Sequence, residues 1–244
     1  MTYTGWEFRC GTRLPFSQGF CEPQEITSKE NDRVKRNVQI AVFALSAALF
    51  SQTTFGQSTA GWKVRVDRST EATDPDASGG VKFVASGSGF HATNPQAATY
   101  WNPANTATGT YTLKATFTLL RPSSHTNYYG LVFGGSDLGG PQQKYLYFTV
   151  AQDGTWLIKR RDGDATSTVS AKTSSTAVTI PDASGKSTNT LEVRVGADKI
   201  DYVVNATVVT TTPKTGATAK TDGVYGLRVN HVLDVQVDGL TVTK

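Results

Sequence analysis

From Trp62 onward the apolar residues of this chain recur at every second position, and that period leaves the β-strand as the one regular structure they can share. In Trp62-Lys63-Val64-Arg65-Val66-Asp67 the even positions are apolar and the odd ones charged, and the runs 113–119 and 191–195 repeat the rule. Extended backbone with that pattern puts all its apolar side chains on one face. No segment after Gln57 sustains an i, i+3, i+4, i+7 apolar pattern for three turns, so helices are expected to be nearly absent. Between the alternating runs stand Asp153-Gly154, Asp162-Gly163, Asp222-Gly223 and Asp238-Gly239, which offer the positive φ that tight hairpin turns require. About a dozen short strands so punctuated predict an all-β fold, a two-sheet antiparallel jelly-roll sandwich.

Residues 57–244 are expected to be a single β-sandwich domain, long enough for one core that buries about 70% of its unfolded surface. This stretch has no cysteine, so packing rather than disulfides has to hold it. Before it, Lys35-Arg36 precedes the apolar run 38–50, and small residues follow at Thr54 and Gly56. A basic n-region, an apolar h-region and a small-x-small site in that order predict a signal peptide over 34–56, cleaved after Gly56 or Ala60, and a secreted or periplasmic product. The run is too short for a membrane anchor, which needs about 20 apolar residues; the alternative is a buried amphipathic helix. Residues 1–33 hold both cysteines, Cys10 and Cys21, show neither period, and read as an upstream translation or disordered extension. The formal net charge is +4 and the pI is 9.0, but the basic residues form no stripe. Lys159-Arg160-Arg161 is answered by Asp162 and Asp164, so nucleic acid is not an expected partner.

The segments 129–135, 147–150 and 156–158, then 189–193, 202–205 and 223–229, resemble the middle and last strands of concanavalin A-like lectin/glucanase sandwiches. The likeness is to secreted bacterial domains of the laminin-G-like and 3-keto-disaccharide hydrolase-like kinds, and it covers about Trp62 to Val242. It implies the concanavalin A-like fold and a glycan partner. One departure stands out: where those families turn a hairpin with Asn-Gly, this chain has Asn205-Ala206, and Ala at positive φ is strained by about 1 kcal/mol relative to Gly. Asn205-Ala206-Thr207 also matches an N-glycosylation acceptor.

The glucanase branch of this fold carries Glu-x-Asp-x-x-Glu on one strand, and that string is absent. After Gln57 the glutamates are Glu71 and Glu192, and Glu192 sits in an alternating strand where a solvated face is expected. Asp198, Asp201, Asp234 and Asp238 read as turn residues. His91, His125 and His231 lack any His-x-His or His-x-x-x-His spacing, so a metal site has to converge from distant strands, and none is predicted. Asp162-Gly163-Asp164 and Asp74-x-Asp76 offer oxygens to Ca²⁺ without the longer loop of a recognisable calcium motif. There is no Gly-x-Ser-x-Gly elbow and no nucleophilic cysteine after Gln57, so no catalytic residue is assigned.

Aromatic and amide residues concentrate at Tyr100-Trp101-Asn102, Asn127-Tyr128-Tyr129, Lys144-Tyr145-x-Tyr147 and Trp156-x-x-Lys159-Arg160. Sugar rings present apolar C–H faces and hydroxyl edges, which aromatic platforms and polar side chains complement. The candidate ligand-binding set is Tyr100, Trp101, Asn102, Tyr128, Tyr145, Lys144 and Arg160. Tyr100, Trp101 and Tyr128 are expected to be exposed in loops, whereas Trp156, Phe133 and Tyr147 are expected to fill the core. Three functions compete: a weak carbohydrate-binding module, a glycan-processing hydrolase with a polar pocket from His91, Lys144, Arg160 and His231, and a structural envelope protein.

Overall fold

A computed structural model describes residues 58–69 and 72–244; the expected extension over 1–33 and export signal over 34–56 lie outside the described residues. Fourteen strands are present among the described residues: β1 (Lys63–Asp67), β2 (Lys82–Ser86), β3 (Gly89–Asn94), β4 (Ala97–Ala107), β5 (Tyr111–Arg121), β6 (Tyr128–Ser136), β7 (Lys144–Ala151), β8 (Thr155–Asp162), β9 (Ala165–Ser174), β10 (Ser187–Val195), β11 (Lys199–Val204), β12 (Thr207–Pro213), β13 (Gly223–Val229) and β14 (Leu233–Thr243). They form two seven-stranded antiparallel sheets, ordered β1-β4-β13-β6-β7-β8-β9 and β12-β11-β10-β5-β14-β3-β2. The one helical element among the described residues is a single 3₁₀ turn, Gly216–Thr218. No helix among the described residues is long and apolar enough to cross a membrane. The expected jelly-roll sandwich is thus the observed architecture.

The core lies between the sheets and follows from the alternation. Leu113, Ala115, Phe117 and Leu119 of β5 face Tyr129, Leu131 and Phe133 of β6, all fully buried. Rings from the two sheets meet there: Phe117 and Tyr129 have centroids 5.8 Å apart, and Phe148 and Tyr202 meet edge-on at 5.3 Å. Trp156 belongs to this core, as its place in β8 implied. Burial pushes the Tyr202 hydroxyl up to about 12, because the phenolate has no water to solvate it.

Two expectations are corrected by register. Tyr100 is not an exposed loop residue: it shares the inward face of β4 with Ala98, is fully buried, and donates to Asn94 Oδ1 at 2.6 Å. The loop-like Asn102-Pro103 beside it lies inside β4, where pairing with β13 jumps from Trp101 to Thr106. Proline cannot donate to a ladder, and such an irregularity is where a strand tolerates it. Of the four Asp-Gly pairs, Asp153-Gly154 and Asp162-Gly163 do turn hairpins, β7 to β8 and β8 to β9. Asp222-Gly223 instead leads into β13, where a Cβ on Gly223 would stand 2.4 Å from the Gly135 carbonyl. Asp238-Gly239 marks a register shift within β14, with Gly239 at φ 63°.

Candidate functional site

The outward face of the first sheet carries aromatic rings of its own, Trp101, Tyr128, Tyr145 and Tyr147. Directly opposed residues in an antiparallel pair share a face, so the register builds this surface row by row. One row runs Arg65, Thr99, Arg228, Gly130, Thr149, Leu157 across β1, β4, β13, β6, β7 and β8; the next runs Trp101, Gly226, Val132, Tyr147, Lys159. Trp101, Val132, Leu138, Tyr145, Tyr147 and Leu157 form a second apolar cluster, separate from the sandwich core, with Tyr128 packed against it. Gly226 makes room for it: a Cβ there would stand 2.1 Å from the Tyr100 carbonyl and 3.1 Å from Trp101 Cβ.

Part of this face is roofed by the 137–142 loop. Leu138 packs into the cluster, Arg65 Nη1 donates to the Gly140 carbonyl at 2.8 Å, and Asp137 Oδ2 accepts from the Gln142 amide at 2.9 Å. Trp101 is therefore only 6% exposed, which corrects the expectation of a solvent-facing ring. Tyr145, also buried, shares a face with Tyr147 as the period required, with ring centroids 5.7 Å apart. Tyr147 lies in this outer cluster, not in the sandwich core.

Beyond the loop the face opens into a cavity of about 350 Å³, lined among others by Tyr128, Tyr147, Leu157, Lys159, Arg228 and Asn230. Tyr128 is half-buried and its hydroxyl sits 3.2 Å from Thr155 Oγ1. Arg228 anchors the floor: Nη1 donates to Asp67 Oδ2 at 2.7 Å and to Thr99 Oγ1 and the Tyr145 hydroxyl at 3.2 Å each. Its guanidinium also lies 5.4 Å from the centre of the Tyr147 ring, within cation–π range. Burial opposes its charge, but Tyr145, Tyr147 and Asp67 outweigh burial and hold the guanidinium charged above its ordinary range. Burial raises the Tyr147 hydroxyl, with Arg228 acting against it, so Tyr147 remains a neutral donor at neutral pH. The result is a fixed cation beside aromatic walls.

The sequence-predicted set is divided by the fold. Tyr128 lines this cavity, and Trp101 and Tyr145 support its floor from the same face. Tyr100 is in the core, and Asn102 Oδ1 accepts from the Ala104 amide at 3.0 Å within β4. Lys144, Tyr145 and Arg160 together line a different cavity, of about 370 Å³, and Lys144 and Arg160 both pair with Asp162, at 3.1 and 2.8 Å. Those pairings also engage the carboxylate that had been offered to Ca²⁺. The polar set His91, Lys144, Arg160 and His231 does not converge, since His91 pairs with Asp234 on the second sheet while His231 faces Asp74 and Asp76. Arg228 was missed. Its signal was an arginine between Leu227 and Val229 in an otherwise apolar strand.

The histidines are less scattered than their spacing suggested. His125, from the β5–β6 loop, and His231, from the β13–β14 turn, bring Nε2 atoms to 3.1 Å, with Asp74 from the segment after β1 touching both. These three residues are the donor set among the described residues with the chemistry to hold a metal ion.

No protein-family profile matches the chain, and no curated protein sequence matches it. Among solved structures it is similar to the carbohydrate binding module CBM66 from Bacillus subtilis, with TM-score 0.55 and 10% identity over 75% of this chain and 96% of that one. It is also similar to a protein of unknown function with a galectin-like fold from Bacillus subtilis, with TM-score 0.52 and 13% identity over 74% of this chain and 88% of that one. At such identities the likeness shows the fold alone. That fold is the lectin/glucanase-like sandwich that the strand segments resembled.

Proposed function

We propose that the chain is a secreted or periplasmic carbohydrate-binding module whose ligand lies on the outward face of the first sheet. The observation that carries this reading is the cavity in which Tyr128, Tyr147 and Leu157 supply apolar wall, Arg228 supplies a fixed cation, and Lys159 and Asn230 supply further polar groups. A pyranose needs that mixture: C–H faces to pack on rings, and hydroxyl edges to meet donors and acceptors. The similarity in fold to a carbohydrate binding module supports the reading. Binding a solvated sugar leaves little net free energy, so affinity is expected between micromolar and millimolar, about −8 to −4 kcal/mol.

A glycan array followed by calorimetric titration of the hits tests this. Tyr128→Ala and Lys159→Ala are expected to weaken binding about tenfold each, roughly 1.4 kcal/mol, with the fold intact. Trp101→Ala removes a ring packed under a loop, and is expected to lower stability by about 3–5 kcal/mol. No binding to any glycan, or binding unmoved by both cavity substitutions, would reject the site.

A further inference from the structure

We propose that His125, His231 and Asp74 form a binding site for a divalent transition-metal ion of the zinc class, with Asp76 as the carboxylate behind His231. The three donor atoms, His125 Nε2, His231 Nε2 and Asp74 Oδ1, stand 2.6, 3.0 and 3.1 Å apart. Ligands of a tetrahedral ion at bond lengths of 2.0–2.1 Å are separated by about 3.3 Å. The two edges at His231 therefore need to widen by a few tenths of an ångström and the His125–Asp74 edge by about 0.7 Å, which the exposed His125 ring can supply.

The second ring nitrogen of His231 strengthens the case. Nδ1 lies 3.2 Å from Asp76 Oδ1, and a carboxylate can only accept, so Nδ1 carries a proton, while Nε2 faces Asp74 Oδ1 at 3.0 Å and gives up its own proton there when an ion takes that place. That is the carboxylate–histidine–metal relay in which an outer carboxylate fixes the tautomer and raises ligand basicity. Asp76 is itself held by the Ser69 amide at 2.9 Å. With an ion in place of the protons that His125 and His231 otherwise share with Asp74, three lone-pair atoms converge on one point, and one cation satisfies all three.

Asn127, whose Nδ2 also donates to Ser123 Oγ at 3.2 Å, is the side chain next to the triangle that can add a fourth ligand. The Asn127 side-chain amide lies 3.0 Å from His125 Nε2, and a half-turn of that amide presents its oxygen instead of its nitrogen. Two imidazoles with one carboxylate select against Ca²⁺ and Mg²⁺, which take all-oxygen shells, and suit zinc, nickel or copper. His231 is buried while His125 is exposed, so the site is anchored on one side and open to entry on the other. His91, paired with Asp234 on the second sheet, has no part in it.

The test is titration of the metal-free full chain with Zn²⁺ by calorimetry, and with Co²⁺ by visible absorption. One equivalent of Zn²⁺ is expected, with intense Co²⁺ d–d bands that mark a four-coordinate nitrogen and oxygen shell. His125→Gln is expected to lower Zn²⁺ affinity by about 100-fold or more and Asp76→Asn by about 10- to 100-fold, while His91→Gln changes nothing. His125 is an exposed ring, so its variant reads the site even if the buried His231→Gln variant fails to fold. Tyr128→Ala leaves metal binding intact, which keeps this proposal separable from the glycan reading. Absence of one-equivalent Zn²⁺ binding, wild-type affinity in His125→Gln, or displacement of Zn²⁺ by millimolar Ca²⁺ would overturn it.

Discussion

Asn205 and Ala206 form a two-residue hairpin turn between Val204 and Thr207, both at positive φ, 48° and 67°. A Cβ in that region meets its own backbone, a cost that Asn bears more readily than Ala. Ala206→Gly is therefore expected to stabilise the domain by about 0.5–1 kcal/mol in a urea titration, and unchanged stability would mean the strain is relieved elsewhere. Asn205 does more than turn the chain. Its Oδ1 accepts from the Thr190 amide at 2.8 Å, while Nδ2 donates to the Ala177 carbonyl at 2.8 Å and to Asn189 Oδ1 at 2.9 Å. A glycan attached at Nδ2 would break this set, so the Asn-x-Thr triplet here works as a structural tie.

At the scale of the strand, β10 departs most from its simple alternating appearance. Glu192 faces outward, as the alternation predicts, but Lys114 and Arg194 cover it: its side chain is 12% exposed, 3.2 Å from Lys114 on β5 and 2.6 Å from Arg194 two residues along. Burial works against its ionisation, but Arg194 and Lys114 outweigh burial and hold the carboxyl below its ordinary range. Because the folded value lies below the unfolded one, the pairing contributes stability above the ordinary carboxylate pKa of about 4.3, and loses it as pH falls through the folded value. Glu192→Gln is accordingly expected to destabilise at pH 7, with the difference from wild type shrinking as the pH is lowered to about 3 in parallel urea titrations. A difference that stayed constant would assign the effect to packing.

Across the whole molecule, alternation revealed the fold class and misassigned the faces. Period two locates one side of a strand but does not say which side is inward, and β7 is apolar on both sides, with Tyr145 and Tyr147 outward and Leu146 and Phe148 inward. A loop-covered aromatic face produces such a run as readily as a core does. The histidine cluster was illegible for another reason: Asp74, His125 and His231 come from three separate connections, and only the sheet order brings them together. The expected compartment lies with residues 34–60. Fused to a reporter active only after export, that segment is expected to carry the reporter across the cytoplasmic membrane and be cleaved, and an uncleaved or retained fusion would refute the assignment.

Among the described residues the sheet orders also leave β1, β9, β12 and β2 at the margins, each with a strand neighbour on one side only. An open margin invites another chain to add a strand, which is how sheets aggregate or exchange segments. These four margins are defended. β1 carries Lys63, Arg65 and Asp67, β2 carries Lys82, β9 is a short-side-chain Ser/Thr strand with Lys172, and β12 ends on Pro213. Charges resist desolvation at such a seam and proline withholds a donor, which offsets the exposed Val64 and Val66 of β1, Val84 of β2 and Val208 of β12. In a domain whose residues 58–244 include no cysteine to cross-link its strands, such guarding is what opposes the strand-by-strand growth of a fibril.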